Sequence, residues 1–302
     1  MDRTAIEQLA RAQGCTVQID TPLKNYTSFR IGGPATLLIT PHSAEAAAAT
    51  LKLLWEQNVS VTVIGNGSNL LVSDRGVDGV VMRIGGSETP PTRKGTHILC
   101  DAALPLKVLC RFAREQGLKG LEPLYGIPGT VGGAVYMNAG AYGGEVADTL
   151  YGVTVASQSG ELIERRAEEL ALRYRHSTLM QSGEVVLRAE FELTPDEPAA
   201  IGARMEDYMM RRREKQPLEY PSAGSFFKRP EGHFAGALIE QSGLKGTCVG
   251  DAQVSEKHAG FLINRGSATC CDVKALMKQI QETVWQDHGV MLEPEVQFLG
   301  EE

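Results

Sequence analysis

Apolar and polar positions alternate along the first part of the chain in a way that predicts clear elements. MDRTAIEQLARAQG reads as a polar amphipathic helix. Ser43 is placed to cap an alanine-rich helix reaching about Gln57, Val59 to Ile64 reads as a buried strand, and Val77 to Ile84 as another. Between those strands lies GNGSNLLVSDRG, and PPTRKG (residues 90–95), polar and apolar-poor, is a candidate boundary. A second run follows: a strand near His97 to Asp101, then a helix opened by Pro105 and closed by Gly117 with Leu106, Leu109, Cys110 and Ala113 on one face. GVTVAS and ELIERR flank QSG as a hairpin, and Val185 to Leu193 alternates apolar residues with Arg188, Glu190 and Glu192. A sheet carrying helices is implied. Beyond it, a helix runs from Asp196 to about Lys215, and another from Asp272 to His288 sets Val273, Leu276, Met277, Ile280 and Val284 at helical spacing until Gly289 ends it. A final strand, Val290 to Leu299, is broken at Pro294. No internal repeat or low-complexity tail is visible.

At 302 residues the chain suits two or three domains. Acidic residues outnumber basic ones by 37 to 30, a net charge of −7 that disfavours wrapping a nucleic acid but leaves room for a local anion site. The six cysteines (Cys15, Cys100, Cys110, Cys248, Cys270, Cys271) show no CxxC or His spacing, so neither zinc nor a disulfide framework is read and a reducing compartment is expected. No apolar run approaches membrane-spanning length, and the polar first segment is not a signal peptide. A cytoplasmic protein without a membrane partner is expected.

Glycine changes the picture, because the 33 glycines are clustered. GIPGTVGGAVYMNAGAYGGE (126–145) holds too many for a stable helix and too little branching for a strand. A shaped loop is expected, with successive amides forming an anion-binding concavity to which Thr130 and Asn138 add side-chain donors. A pyrophosphate suits it. GNGSNLL (65–71) follows a strand but is neither GxGxxG before a helix nor GxxxxGK[ST], so neither common nucleotide fold is supported; its amides with Asn66, Ser68 and Asn69 suit a second stretch of the same diphosphate, although alone such a loop is more often an ordinary strand-to-loop turn.

TSFRIGGPA (27–35), GNGSNLLV (65–72) and the 126–145 segment, in this order, resemble the UDP-N-acetylenolpyruvoylglucosamine reductase family. The likeness continues through RYRHS (173–177), AGSFFKRP (223–230), LIEQSGLKG (238–246), HAGFLIN (258–264) and LEPEV (292–296), nearly the whole chain. It implies an α+β protein: a two-subdomain FAD-binding fold of the vanillyl-alcohol oxidase (PCMH) type plus a smaller substrate-binding domain. The expected division is 1–90, 91–195 and 196–302, with 290–302 able to return to the FAD-binding part. The family takes hydride from NADPH onto non-covalent FAD and passes it to a UDP-sugar enolpyruvyl ether, making UDP-N-acetylmuramate for peptidoglycan.

Residue by residue, the resemblance places FAD at Arg30, Ile31, Gly32, Gly65, Asn66, Gly67, Ser68, Asn69, Leu70, Gly129, Thr130, Gly132, Gly133, Asn138, Ala139 and Gly140. It places catalysis at Arg175, which steadies developing negative charge, Ser225, the proton donor, and Glu295. Lys215, Lys228 and Arg229 fall where the family meets the UDP diphosphate. Taken singly, Arg175 would be an ordinary surface arginine, Ser225 a turn residue and Glu295 a solvated glutamate. The run Arg211, Arg212, Arg213 and Lys215 reads as a solvated helix end, and His233, His258 and His288 lack ligand spacing. The short interval between Arg175 and Ser225 resembles the family's second type, without the inserted loop that lays a tyrosine over the substrate. A monomer is expected. Two other readings remain: another FAD oxidoreductase of this fold acting on a sugar or alcohol, and a nucleotide-binding sensor without chemistry. Absence of His and Cys from both glycine loops weakens the first, since covalent flavin tethers use them.

Overall fold

The computed structural model describes residues 2–87 and 89–301. The chain divides into two compact units, one of Met1–Ile19, Leu37–Asn66 and Gly79–Arg211, the other of Asp20–Thr36, Gly67–Asp78 and Arg212–Glu302. Helices in chain order are α1 (Arg3–Ala12), α2 (Ala44–Glu56), α3 (Leu106–Glu115), α4 (Val131–Tyr136), α5 (Leu179–Ser182), α6 (Pro198–Lys215), α7 (Ala235–Gln241) and α8 (Cys270–His288).

The first unit is built on a five-stranded antiparallel sheet ordered Leu162–Arg166, Leu150–Ala156, Val185–Glu192, His97–Asp101, Thr92–Lys94. In the middle strand Leu187, Ala189 and Phe191 are buried while Arg188 and Glu190 are half-exposed and Glu192 exposed, as alternation predicts. Thr92–Lys94 forms the outer strand where a polar boundary was expected; an edge strand tolerates such polar residues. Against the middle strand of this sheet lie α4 and α2, the latter started by the Ser43 side chain accepting from the Ala46 N–H, while α3, whose buried face is Leu106, Leu109, Cys110 and Ala113, packs on α4 and Leu118–Lys119.

A four-stranded sheet takes Cys15–Pro22, Pro34–Pro41, Val77–Arg83 and Val61–Ile64 in that order. Val61–Ile64 is therefore an edge strand, parallel to Val77–Arg83, and it is not buried as expected: only Ile64 is, and Val63 is exposed. Val61 and Thr62 are only partly buried, as the open edge of a sheet allows.

The second unit has an antiparallel sheet ordered Ser222–Ser225, Phe261–Asn264, Ala252–Val254, Cys248–Val249. Helix α8 sets Cys270, Val273, Leu276, Ile280 and Val284 into this unit's core, with Met277 partly buried, and ends at Gly289 in the left-handed region (φ +68°). The expected terminal strand is much shorter. Only Gln297–Leu299 pairs, in parallel with Leu70–Val72, while Pro294 makes a single bridge to Phe227, because its missing N–H cannot extend a ladder. The short strand Leu70–Val72, just after the second glycine loop, was not foreseen.

Candidate functional site

In the first unit the glycine segment departs from the expected loop. Thr130 caps the short helix α4, its Oγ accepting from the Gly133 N–H at 3.3 Å, and Val131, Ala134 and Val135 are buried. Packing overrides propensity here, and the glycines are what permit it: a Cβ on Gly132 would stand 2.9 Å from the Ala102 Cβ. The amides of Val131 and Gly132 donate to the carbonyls of Leu104 and Ala102, both at 2.9 Å. They do not face an anion as expected. The unpaired amides lie next door: among the described residues the backbone N–H groups of Gly65, Asn66, Gly129 and Thr130 donate to no protein acceptor. These two pairs are held together, because Asn66 Nδ2 donates to the Pro128 carbonyl at 3.4 Å and a Cβ on Gly65 would fall 2.5 Å from Thr130 Oγ1.

Asn138 is fully buried, and its amide is engaged inside the protein, donating to the Arg173 carbonyl at 3.2 Å and accepting from the Ala147 N–H at 2.9 Å. It therefore shapes the site and does not present its side chain as the expected donor. Ala139 donates its N–H to Ala134, and Gly140 pairs with Glu145 in a hairpin. The RYRHS turn is fastened to this segment at three points: Asn138 to Arg173, Arg175 Nη2 to the Gly140 carbonyl at 3.3 Å, and Ser177 Oγ to the Tyr136 carbonyl at 2.7 Å. Arg175 itself has φ +52°, rare for a side chain other than glycine, asparagine or aspartate, and its guanidinium lies over the Tyr174 ring at 5.1 Å. Half-buried and tethered, it is no ordinary surface arginine.

In the second unit Gly67 (φ +60°) receives the Ser28 N–H on its carbonyl, and a Cβ there would meet the Tyr26 carbonyl at 2.2 Å. A Cβ on Gly32 would meet Val72 at 2.7 Å. The structure thus brings Tyr26 and Ser28 to Gly67, and Gly32 to Val72, so the chain on either side of Arg30 and Ile31 meets the segment that begins at Gly67. Ile31 is buried in the core, so only its backbone can serve a ligand, whereas Arg30 lines an open cleft of about 730 Å³ with Lys24, Asn25 and Asp74. Asn69 Nδ2 donates to the Glu295 carbonyl at 3.1 Å, and Glu295 donates its N–H to the carbonyl of Phe226 at 2.8 Å. Glu295 and Ser225 are consequently neighbours across two backbone segments. Ser225 is exposed at the end of its strand after Gly224 (φ +81°), whereas Glu295 is only 8 % exposed, against the solvated reading. Lys228 pairs with Glu293 at 3.2 Å, and Lys215 is exposed at the end of α6. Arg212 corrects the solvated reading of its run, being buried with Nη1 donating to Gln216 Oε1 at 3.2 Å. His258 packs edge-on against Phe261 and accepts the Gly260 N–H on Nδ1; burial pushes its pKa below the usual imidazole value.

Residues 35–165 match the family described as FAD binding domain, and residues 216–299 match UDP-N-acetylenolpyruvoylglucosamine reductase, C-terminal domain. A UDP-N-acetylenolpyruvoylglucosamine reductase of Clostridium novyi (strain NT) is 48 % identical over 280 residues, covering 93 % of this chain and 91 % of that protein. The chain belongs to the UDP-N-acetylenolpyruvoylglucosamine reductase family. A reductase of Geobacillus kaustophilus (strain HTA426) is 47 % identical over 94 % of this chain and 93 % of its own. The crystal structure of the Thermus caldophilus reductase superposes with a TM-score of 0.80 at 37 % identity, covering 94 % of this chain and 98 % of that one. The expected α+β fold of an FAD-binding part and a C-terminal reductase domain therefore stands.

The residues present fit FAD, since four unpaired amides are clustered where a side chain on Gly65 would collide with Thr130. What the sequence reading missed in this reductase is the scaffold beneath: buried Glu122, 6 % exposed, accepts from Arg204 of α6 at 2.7 Å and from the Gly120 N–H at 2.6 Å. Helix α4 could have been found, because Thr130 precedes apolar residues at 131, 134 and 135.

Proposed function

We propose that the chain reduces the enolpyruvyl ether of UDP-N-acetylglucosamine to UDP-N-acetylmuramate, a peptidoglycan precursor, at the expense of NADPH and with FAD held non-covalently. The observation that carries this reading is the fastening of the RYRHS turn, at three points, to a glycine segment whose neighbouring amides lack acceptors. Bound FAD supplies the two-electron relay that lets hydride pass from a nicotinamide to a carbon acceptor. The amides of Gly65, Asn66, Gly129 and Thr130 hold its pyrophosphate. Gly132, Gly133, Asn138, Ala139 and Gly140 keep that cradle in shape, and Arg30 to Gly32 with Gly67 to Leu70 supply the second stretch.

The remaining steps belong to side chains. Hydride arriving at the terminal enolpyruvyl carbon leaves negative charge on the adjacent carbon and its carboxylate, which the fixed guanidinium of Arg175 stabilises without having to reorganise. The Ser225 hydroxyl then gives its proton to that adjacent carbon. Glu295, buried and tied by its backbone beside Ser225, orients the substrate carboxylate or a water. Lys215, Lys228 and Arg229 bind the diphosphate. The three-part division at 90 and 195, a cytoplasmic location and a monomeric state belong to this proposal. No helix among the described residues is long and apolar enough to cross a membrane.

Ser225→Ala separates the two halves of the reaction. Bleaching of the yellow absorbance by NADPH should stay near the parent rate, and its return on adding the UDP-sugar should slow by about 10²- to 10⁴-fold in stopped flow. Equal return rates in variant and parent would remove Ser225 as donor and leave a water held by Glu295.

A further inference from the structure

Phe234 is the most exposed of the large apolar side chains described, at 61 %. It also carries the guanidinium of Arg229 on its ring, 4.0 Å from the centroid. A phenylalanine at the start of a helix gains nothing from water, and a cation on one face fixes the ring while leaving its other side open. The local chain arranges this pairing: His233 donates its N–H to the Pro230 carbonyl at 3.1 Å, closing a turn that returns Phe234 to Arg229.

The position follows from the same stretch of backbone. Arg229 is four residues beyond Ser225, so the two lie at most about 14 Å apart along the chain. Lys228 stands between them, its backbone N–H fixed by the Glu293 carbonyl at 2.8 Å. An extended nucleoside diphosphate sugar that meets the proton donor at its sugar end and these cations at its diphosphate has its base left to place. Bases of any identity stack on aromatic faces, and a neighbouring arginine strengthens the contact.

Resting on the function proposed above, we infer that the open side of Phe234, backed by Arg229, seats the uracil ring of the UDP-sugar. The adenine of NADPH has the same stacking chemistry, and the measurement tells them apart. The holoenzyme is compared with Phe234→Ala and Phe234→Trp, each checked for retained yellow colour and melting temperature. The alanine variant should raise KM for the UDP-sugar about 5- to 100-fold, the worth of one base-aromatic stack, with KM for NADPH and the bleaching rate unchanged. The tryptophan variant should restore KM, and its added fluorescence should be quenched by UDP alone. An unchanged KM for the UDP-sugar, or no quenching by UDP, overturns the assignment; a rise confined to NADPH overturns it in favour of adenine. Failure of the parent enzyme to turn over the UDP-sugar would instead sink the functional reading, so the two failures are distinct.

Discussion

Gly132 shows how a residue can be read for the right reason at the wrong contact. Clustered glycine signals close backbone approach, and the approach is real, but the partner is Ala102 within the protein. Asn138 and Asn69 are similar: the motifs single both out as site candidates, and both spend side-chain hydrogen bonds on the carbonyls of Arg173 and Glu295. Polarity singles them out, while the direction of a side-chain amide depends on segments far away in sequence. Gly132→Val should force α4 away from Ala102 and disturb the neighbouring amides of Gly129 and Thr130. The purified variant is expected to be pale, with a flavin-to-protein absorbance ratio well below the parent's. A fully yellow, normally stable Gly132→Val would show that the segment does not shape the cofactor site.

Elements with strong periodicity and caps were legible almost to the residue. Helix α8 is an instance: the expected stripe from Val273 to Val284 and the stop at Gly289 stand, and the start lies at Cys270, two residues before the expected Asp272, because Thr269 and Asp272 form a reciprocal capping box. What could not be read is its second cap. Asp74, nearly two hundred positions earlier, accepts the N–H groups of Cys270 at 2.8 Å and Cys271 at 3.0 Å. That carboxylate satisfies two orphan donors and lies at the positive end of the helix dipole. Asp74→Asn keeps one acceptor and loses the charge, so it should cost about 1 kcal/mol, and Asp74→Ala about 2 kcal/mol. At roughly 2–4 °C per kcal/mol for a chain of this size, thermal unfolding resolves both. Equal melting temperatures in the two variants and the parent would show that the local capping box suffices alone.

On the scale of the whole molecule, the two compact units interleave along the chain, and composition has no means of recording which segments pack together. Legible instead was what the chain lacks as a sequence: no GxGxxG after a strand and before a helix, the element that would read a nicotinamide dinucleotide separately from FAD. We expect NADPH to reach the flavin through the pocket that later takes the UDP-sugar. Two substrates that share one pocket cannot be bound together, so NADP must leave before the UDP-sugar enters. Initial rates at several fixed concentrations of each substrate should therefore give parallel double-reciprocal lines, the mark of a ping-pong sequence. Excess UDP-sugar should inhibit by occupying the pocket before NADPH does, and that inhibition should be relieved by raising NADPH. Intersecting lines would mean that a ternary complex forms, and the nicotinamide would then need a site of its own elsewhere on the protein.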